Sequence, residues 1–363
     1  MARGAGLFRG TLWPSALAMK ILVSSYTFAP NVGGIESVSK ILTEKFVEAG
    51  HEVRVVTETP GDLQCDNLQG EGQLSSLYHL TRRPSLFGLR RLLNWCDVFF
   101  QNNISLRSLI PALFVRKPIL IVHQTWLRDS DGGIGWINRA KRALLTRATN
   151  VAISRAILDD IDAPGSIIGN PYNDRVFRIV PNVTRDKSLV FLGRLVSDKG
   201  ADILLQAMKI LRQDHLRPDL TIIGSGPERE NLEHLAQALE LREQITFAGE
   251  KSGEELAGLL NRHRIMVVPS RWREPFGIVA LEGIACGCVI VGSRQGGLGE
   301  AIGPCGLTFE NGNVESLAAC LKQLLVEPAS HLGFQKEATN HLAKFQADAV
   351  ASAYLKLLQQ LIA

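Results

Sequence analysis

From Met19 onward the sequence alternates short β-branched and aromatic runs with longer helix-patterned segments, and it does so in two successive series. The first series places strands at KILVSS (20–25), VRVVTE (53–58), DVFFQN (97–102), PILIVHQ (118–124) and NVAIS (150–154). Helical periodicity fills the gaps at 35–49, 85–95, 105–114 and 135–147. An irregular stretch rich in Asp, Pro, Asn and Gly (159–187) then interrupts the pattern. It restarts with SLVFLG (188–193), LTIIGS (220–225), ITFAG (245–249), IMVVPS (265–270) and VIVGS (289–293), with helices over 201–212, 227–239, 254–262 and 276–286. Repeated β-α-β connections demand a mostly parallel sheet with helices on both faces. The expected fold class is therefore α/β, two Rossmann-like domains facing across a cleft, divided as 19–183 and 184–340 with a final segment 341–363. Ligands of such sheets bind beyond the carboxyl ends of the strands, which points to the loops that follow them.

The 363 residues are 45% hydrophobic and 21% charged, the balance of a globular enzyme rather than a disordered or fibrous chain. No apolar run approaches the ~20 residues of a membrane-spanning helix. The opening MARGAGLFRGTLWPSALA carries Arg3 and Arg9 before an apolar patch, but Pro14 breaks that patch too early for a signal-peptide core. Met19 opens the first strand, so residues 1–18 are expected to lie outside the fold, as from a start codon placed too far upstream. Six cysteines show no CxxC pair and no histidine at zinc-ligand spacing, which predicts reduced, mostly buried thiols in a cytoplasmic protein. The net charge is only +4, yet residues 80–150 hold twelve Arg and Lys against Asp97, Asp129 and Asp131. Such a one-sided field favours an anionic partner.

Four of the loops carry chemistry. After the first strand, Gly33 and Gly34 precede a helix, where paired glycines either form an ordinary turn or let backbone N–H groups approach a phosphate. In GRLVSDKG, Arg194 and Lys199 flank a strand-to-helix turn with Ser197-Asp198 as its cap region. They are either surface cations or a pair that offsets the charge of a diphosphate. LTIIGSGPERE has Gly224 and Gly226 but Arg229 in place of the third glycine, so a dinucleotide fingerprint is rejected and a tight turn into a helix opened by Pro227 is expected. His123 ends the strand PILIVHQ at an edge expected to face the cleft, as a structural histidine or a functional one.

The fourth loop, REPFGIVALEG, carries Glu274 and Glu282. Proline is favoured at the first helical position, so Pro275 is expected to open the helix and Glu274 to cap it. Phe276, Gly277 and Ile278 would then present free amides. Glu282 would follow about 12 Å along the axis, rotated roughly 80° from Glu274. A helix start of this kind meets an extended ligand at two places. It suits a glycosidase poorly, because those enzymes hold their two carboxyls ~5 to ~9.5 Å apart around one bond.

Together these motifs resemble glycosyltransferase family 4, retaining sugar-nucleotide transferases of the two-Rossmann-domain (GT-B) fold. The similarity covers residues 19–360 through PNVGGIE (30–36), AISRA (152–156), VPNV (180–183), FLGRLVSDKG (191–200), IIGSGPE (222–228), ITFAG (245–249), VPSRWREPFGIVALEGIACG (268–287) and GGLGEAI (296–302). FQADAVASAYLKL (345–357) is similar to the family's last helix, which returns to the first domain. The resemblance implies Glu274 at the donor sugar's hydroxyls, Glu282 at the ribose, and Arg194 and Lys199 on the diphosphate. It further implies His123 near the reacting carbon and a donor-binding set completed by Gly33, Gly34, Gly249, Phe276, Gly277 and Ile278. Glu36 and Asp129 are the acceptor-side candidates. Departures from the family pattern are the missing glycine after Asn182, Val289 where proline is frequent, and Gly299 where proline is frequent. None removes a charged contact.

The expected function is a retaining transferase moving a hexose from a UDP- or GDP-sugar to a carbohydrate or lipid-linked acceptor, without metal or cofactor and without a nucleic-acid partner. A sugar-nucleotide epimerase or hydrolase on the same fold, or a non-catalytic sugar-nucleotide binder, are the alternatives. GLRRLLNW (88–95) in the basic half reads as a helix at an anionic membrane surface or as a solvated helix packed on the sheet.

Overall fold

The computed structural model describes residues 18–31, 33–60, 78–128 and 133–363. Most of the expected leader, Cys65 and Asp129 lie outside them.

The first sheet is built from β1 (Lys20–Ser25), β2 (Glu52–Thr57), β3 (His79–Arg82), β4 (Val98–Asn102), β5 (Ile119–His123), β6 (Thr149–Ala152) and β7 (Gly165–Ile167). All pair in parallel in the order β3-β2-β1-β4-β5-β6-β7. Its helices are α1 (Gly34–Glu48), α2 (Leu86–Trp95), α3 (Leu106–Leu113), α4 (Trp136–Leu144) and α5 (Arg155–Ile161). The order reverses at β1. Right-handed crossovers therefore put α1 on one face and α2 to α5 on the other.

The second sheet comprises β8 (Lys187–Leu192), β9 (Leu220–Ile223), β10 (Ile245–Gly249), β11 (His263–Val268), β12 (Val289–Ser293) and β13 (Gly306–Phe309), parallel in the order β10-β9-β8-β11-β12-β13. It is served by α6 (Ala201–Gln213), α7 (Arg229–Ala238), α8 (Gly253–Arg262), α9 (Ile278–Ala285), α10 (Leu298–Ile302), α11 (Val314–Val326) and α12 (His331–Leu342). The last helix, α13 (Ala347–Ile362), packs on α1 of the first domain.

Three elements of the first domain escape the sequence pattern, as do β13 and α10 to α12 of the second. β3 (HLTR) and β7 (GSI) are edge strands, which need no apolar alternation on both faces, and β7 is exposed throughout. α5 is only seven residues long, too short for its period to stand out. Two helices begin later than expected. α7 starts at Arg229, with Pro227 in the preceding turn, and α9 starts at Ile278 rather than at Pro275.

One apolar cluster spans both domains, and the second domain has another of its own. Buried side chains of the first sheet are continuous with Leu260 of α8, Leu281 and Ile284 of α9, and Tyr354 of α13. Around α13, Lys45 bonds Asp348 at 2.7 Å and Glu48 at 2.9 Å, while Arg175 from the crossing segment also holds Glu48 at 2.7 Å. The Tyr354 ring meets Phe100 edge-on with centroids 5.3 Å apart. Its hydroxyl is buried without a hydrogen-bond partner among the described residues. The ring therefore stabilises while the hydroxyl does not. Tyr354→Ala is expected to lower the unfolding free energy by about 3–5 kcal/mol, whereas Tyr354→Phe leaves it unchanged or raises it, as read from denaturant midpoints.

Candidate active site

Glu274 is not a helix cap. It lies in a loop after β11, where its backbone forms a parallel bridge with Gly296 and its carbonyl accepts Gly297 N–H at 2.7 Å. Gly277 is the residue that precedes α9, at φ +111, a backbone conformation that side chains with a Cβ rarely adopt. A proline at 275 still stiffens the approach, but the helix waits for the glycine. Phe276 consequently contributes no free amide from a first turn. Its ring is buried against Phe345, with centroids 5.6 Å apart, at the junction of the domains. The amides at the start of α9 are those of Ile278 and Val279.

The Glu274 side chain turns toward the 194–200 loop. One carboxylate oxygen accepts both Lys199 Nζ at 2.6 Å and Ser270 Oγ at 2.6 Å. Lys199 and Glu274 keep only 21% and 12% of their side-chain surface, so this is no solvated surface pair. Lys199 also faces the Trp272 ring at 5.7 Å. The two loops are stitched together elsewhere. Arg271 N–H donates to Asp198 O at 2.9 Å, and the Arg271 guanidinium clasps both oxygens of Asp202 at 2.5 and 2.6 Å. Ser197–Lys199 form a single 3-10 turn and Gly200 precedes α6, so the cap lies beyond the expected Ser197-Asp198. Arg194 is exposed, and its guanidinium has no ion-pair or hydrogen-bond partner among the described residues.

The glycines of IIGSGPE serve close approach. At Gly224 a Cβ would run into the carbonyl oxygen of Gly193, and Gly224 N–H donates to Gly249 O at 2.8 Å. The ends of β8, β9 and β10 thus meet tightly beside Arg194. Gly249 itself ends β10 at φ +71.

Glu282 lies in the second turn of α9, half-buried, with no hydrogen-bond or ion-pair partner for its carboxylate among the described residues. Burial pushes its carboxyl up to about 7. Gly34 opens α1 against the same helix, close enough that a Cβ there would touch Ile278 Cδ1 at 3.5 Å. The Glu36 carboxylate folds back on Gly33. The Gly33–Gly34 loop and the start of α9 therefore come together across the cleft.

His123 does not face open solvent: it is wholly buried, with Nε2 at 3.1 Å from Asn150 Oδ1 and Nδ1 without a partner among the described residues. Burial lowers its pKa and favours the neutral imidazole. Beside it runs a buried polar chain missed by sequence reasoning. Gln124 donates to Asn102 and Asn170 at 2.9 Å each, Asn102 donates to Ser39 Oγ at 2.6 Å, and Ser39 meets Ser25 at 2.8 Å. Ser270 was missed as well, although its place at a strand end, four residues before Glu274, is the available signal.

A carboxyl whose pKa is higher folded than unfolded binds an extra proton in the native state. Its contribution is full below the ordinary value of 4.5 and is lost as pH rises through about 7. Glu282→Gln, which cannot ionise, should therefore melt above the wild type at pH 8, with the gap closing toward pH 4.5. Differential scanning calorimetry across that range checks the sign.

Residues 173–341 match the family described as glycosyl transferases group 1. An uncharacterized glycosyltransferase of Methanocaldococcus jannaschii is 37% identical over 331 residues, covering 78% of this chain and 83% of that protein. A D-inositol 3-phosphate glycosyltransferase of Corynebacterium jeikeium is 34% identical over 186 residues, covering 49% of this chain. The match spans only 44% of that relative's own length. Among solved structures, HepE of Anabaena in complex with UDP and glucose superposes with a TM-score of 0.76 over 94% of this chain and 99% of that one, at 17% identity. That likeness concerns the fold alone. The two parallel sheets, the returning last helix and the relative matched over most of its length lead to one conclusion: this chain belongs to the glycosyl transferases group 1 family.

Proposed function

We propose that the chain is a retaining glycosyltransferase that moves a hexose from a UDP- or GDP-activated donor to a carbohydrate or lipid-linked acceptor, without a metal ion. The observation that carries this reading is the Lys199–Glu274–Ser270 cluster beside the unpaired Arg194. A diphosphate entering the cleft competes with Glu274 for Lys199 and meets Arg194 on its other side. Glu274, freed from the lysine but still held by Ser270, then accepts hydrogen bonds from sugar hydroxyls. Glu282 is placed to accept from the ribose, and the amides at Gly34 and Ile278 close over the phosphates. As the bond from the sugar carbon to the diphosphate breaks, the acceptor oxygen bonds that carbon from the same face and its proton passes to the departing phosphate oxygen. The two cations stabilise the charge that develops there.

A neutral, buried His123 next to Asn150 is poised as a polar wall near the reacting carbon rather than as a charged group. Glu36 stays an acceptor-side candidate at the Gly33 loop. Lys199→Ala and Glu274→Ala are each expected to lower transfer at least about 100-fold while circular dichroism keeps its wild-type form and melting falls, because the remaining charge is left shielded and unpaired. Near-normal turnover in either variant would end this assignment. Nucleotide release with and without acceptor, over a panel of sugar nucleotides, separates transfer from epimerisation, hydrolysis and simple binding.

A second reading concerns an anionic membrane surface, and a specific pattern favours it. α2, α3 and α4 share one face of the first sheet, and Phe87, Phe114 and Trp136 stand 82%, 83% and 78% exposed on them. Leu86, Ile110 and Ile137 are exposed beside these rings. Arg83, Arg90, Arg91, Arg116 and Arg139 are interleaved, and Arg107, Ile110 and Phe114 share a side of α3 by their spacing. No residue of α4 is buried, and Trp136, Ile137, Ala140 and Leu144 gather on one side of it. Aromatic side chains among arginines suit an interfacial position, where each cation adds about 1 kcal/mol near anionic lipid. No helix among the described residues is long and apolar enough to cross a membrane. The protein should sediment with phosphatidylglycerol vesicles and not with phosphatidylcholine ones, and salt or the triple change Phe87→Ser, Phe114→Ser, Trp136→Ser should release it. Binding indifferent to anionic lipid and salt refutes the reading.

A further inference from the structure

We infer that Trp126 is a positioning residue that holds the Glu274 segment of the second domain in register with the first-domain loop following His123; as a statement about catalysis it rests on the transferase reading above. The loop is rigid on its own side. Gln124 is tied to Asn102 and Asn170, and the buried Asp160 carboxylate accepts Leu127 N–H at 2.6 Å and Arg128 N–H at 3.3 Å. From this platform the indole crosses to the other domain. Its Nε1–H donates to Arg273 O at 2.8 Å, and the Arg273 guanidinium lies over the ring, 4.4 Å from its centroid.

The place of these contacts is what gives them a role beyond gluing the domains together. Three successive carbonyls at the carboxylate are each taken: Arg273 O by Trp126, Glu274 O by Gly297 N–H at 2.7 Å, and Pro275 O by Ser154 Oγ at 2.7 Å. Two of the three donors belong to the first domain, and they flank Glu274 directly. The carboxylate that meets the donor sugar is thus set by groups on the domain expected to bring the acceptor. The groups assigned to the nucleotide, Arg194, Lys199, the Ile278 amide, Glu282 and the Gly34 loop, make none of these three carbonyl contacts. Loss of Trp126 should therefore disturb the alignment of Glu274 with little change in nucleotide binding, and small misalignments of reacting groups are costly in rate.

Trp126→Phe keeps a ring under Arg273 but removes the donor, and Trp126→Leu removes both. Both are measured as full-length protein for kcat and KM of transfer, UDP and GDP affinity by calorimetry, melting temperature, and amide hydrogen exchange over residues 270–300. The expected result is kcat lowered about tenfold in Trp126→Phe and further in Trp126→Leu, with nucleotide affinity within about twofold. Melting should stay within a few degrees, and exchange at Gly297, whose N–H donates to Glu274 O, should quicken. Unchanged kcat, or a fall in kcat matched by equal losses of nucleotide affinity and melting temperature, overturns the inference. If the wild type transfers no sugar from any donor, the transferase reading fails. The exchange measurement then still decides the contact, since unchanged exchange at Gly297 removes it.

Discussion

A carboxylate and an ammonium held 2.6 Å apart in a shielded cleft organise the candidate site of this protein. Lys199 and Glu274 come from different loops, and each would be costly to shield alone. Their pairing requires the 197–202 and 270–274 loops to lie against each other, and the remaining contacts serve that approach. Arg271 reaches Asp202 and the Asp198 carbonyl, and Gly200 passes under the carbonyl of Pro269 where no side chain would fit. Under the proposed function the pair is also provisional. A phosphate has stronger charge to offer the lysine than a carboxylate shared with Ser270, so the contact would yield to a diphosphate.

The cleft is not assembled by one domain. The apolar interior runs without a break from the first sheet through α13 into α8 and α9. Ser154 and Trp126 bind the backbone on both sides of Glu274, and Arg155 N–H donates to Glu300 at 2.7 Å. This gives physical meaning to AISRA and GGLGE, which look unremarkable in the chain. The first presents a hydroxyl and an amide to the second domain, and the second supplies the backbone that bridges Glu274. Group placement across the cleft therefore depends on domain position, and the hydrogen bonds just named limit it.

Much of the architecture was legible because strands buried on both faces must be continuously apolar, and their spacing by helical segments forces parallel order. The charged residues of the site were legible because they follow strand ends, as Arg194, Lys199 and Glu274 do. The start of α9 was not. Proline's preference for a first helical position is a local rule, and here the Gly296 bridge, the Gly277 conformation and the burial of Phe276 against Phe345 outweighed it. His123 was placed on the right strand end but in the wrong surroundings, because its burial depends on residues distant in sequence, Asn150 of β6 among them, which no pattern in PILIVHQ encodes.

By itself the sequence determined two parallel α/β sheets, a basic first half and a set of strand-end loops rich in glycine and charge, since hydrophobic period, charge count and chain order are local quantities. Only the tertiary structure decided that Glu274 meets Lys199 and Ser270, that Trp126 and Ser154 reach across to its backbone, and that Glu282 is left unpartnered with a raised pKa. Those are contacts between residues up to 147 positions apart, and their geometry follows from how the two sheets and the last helix pack.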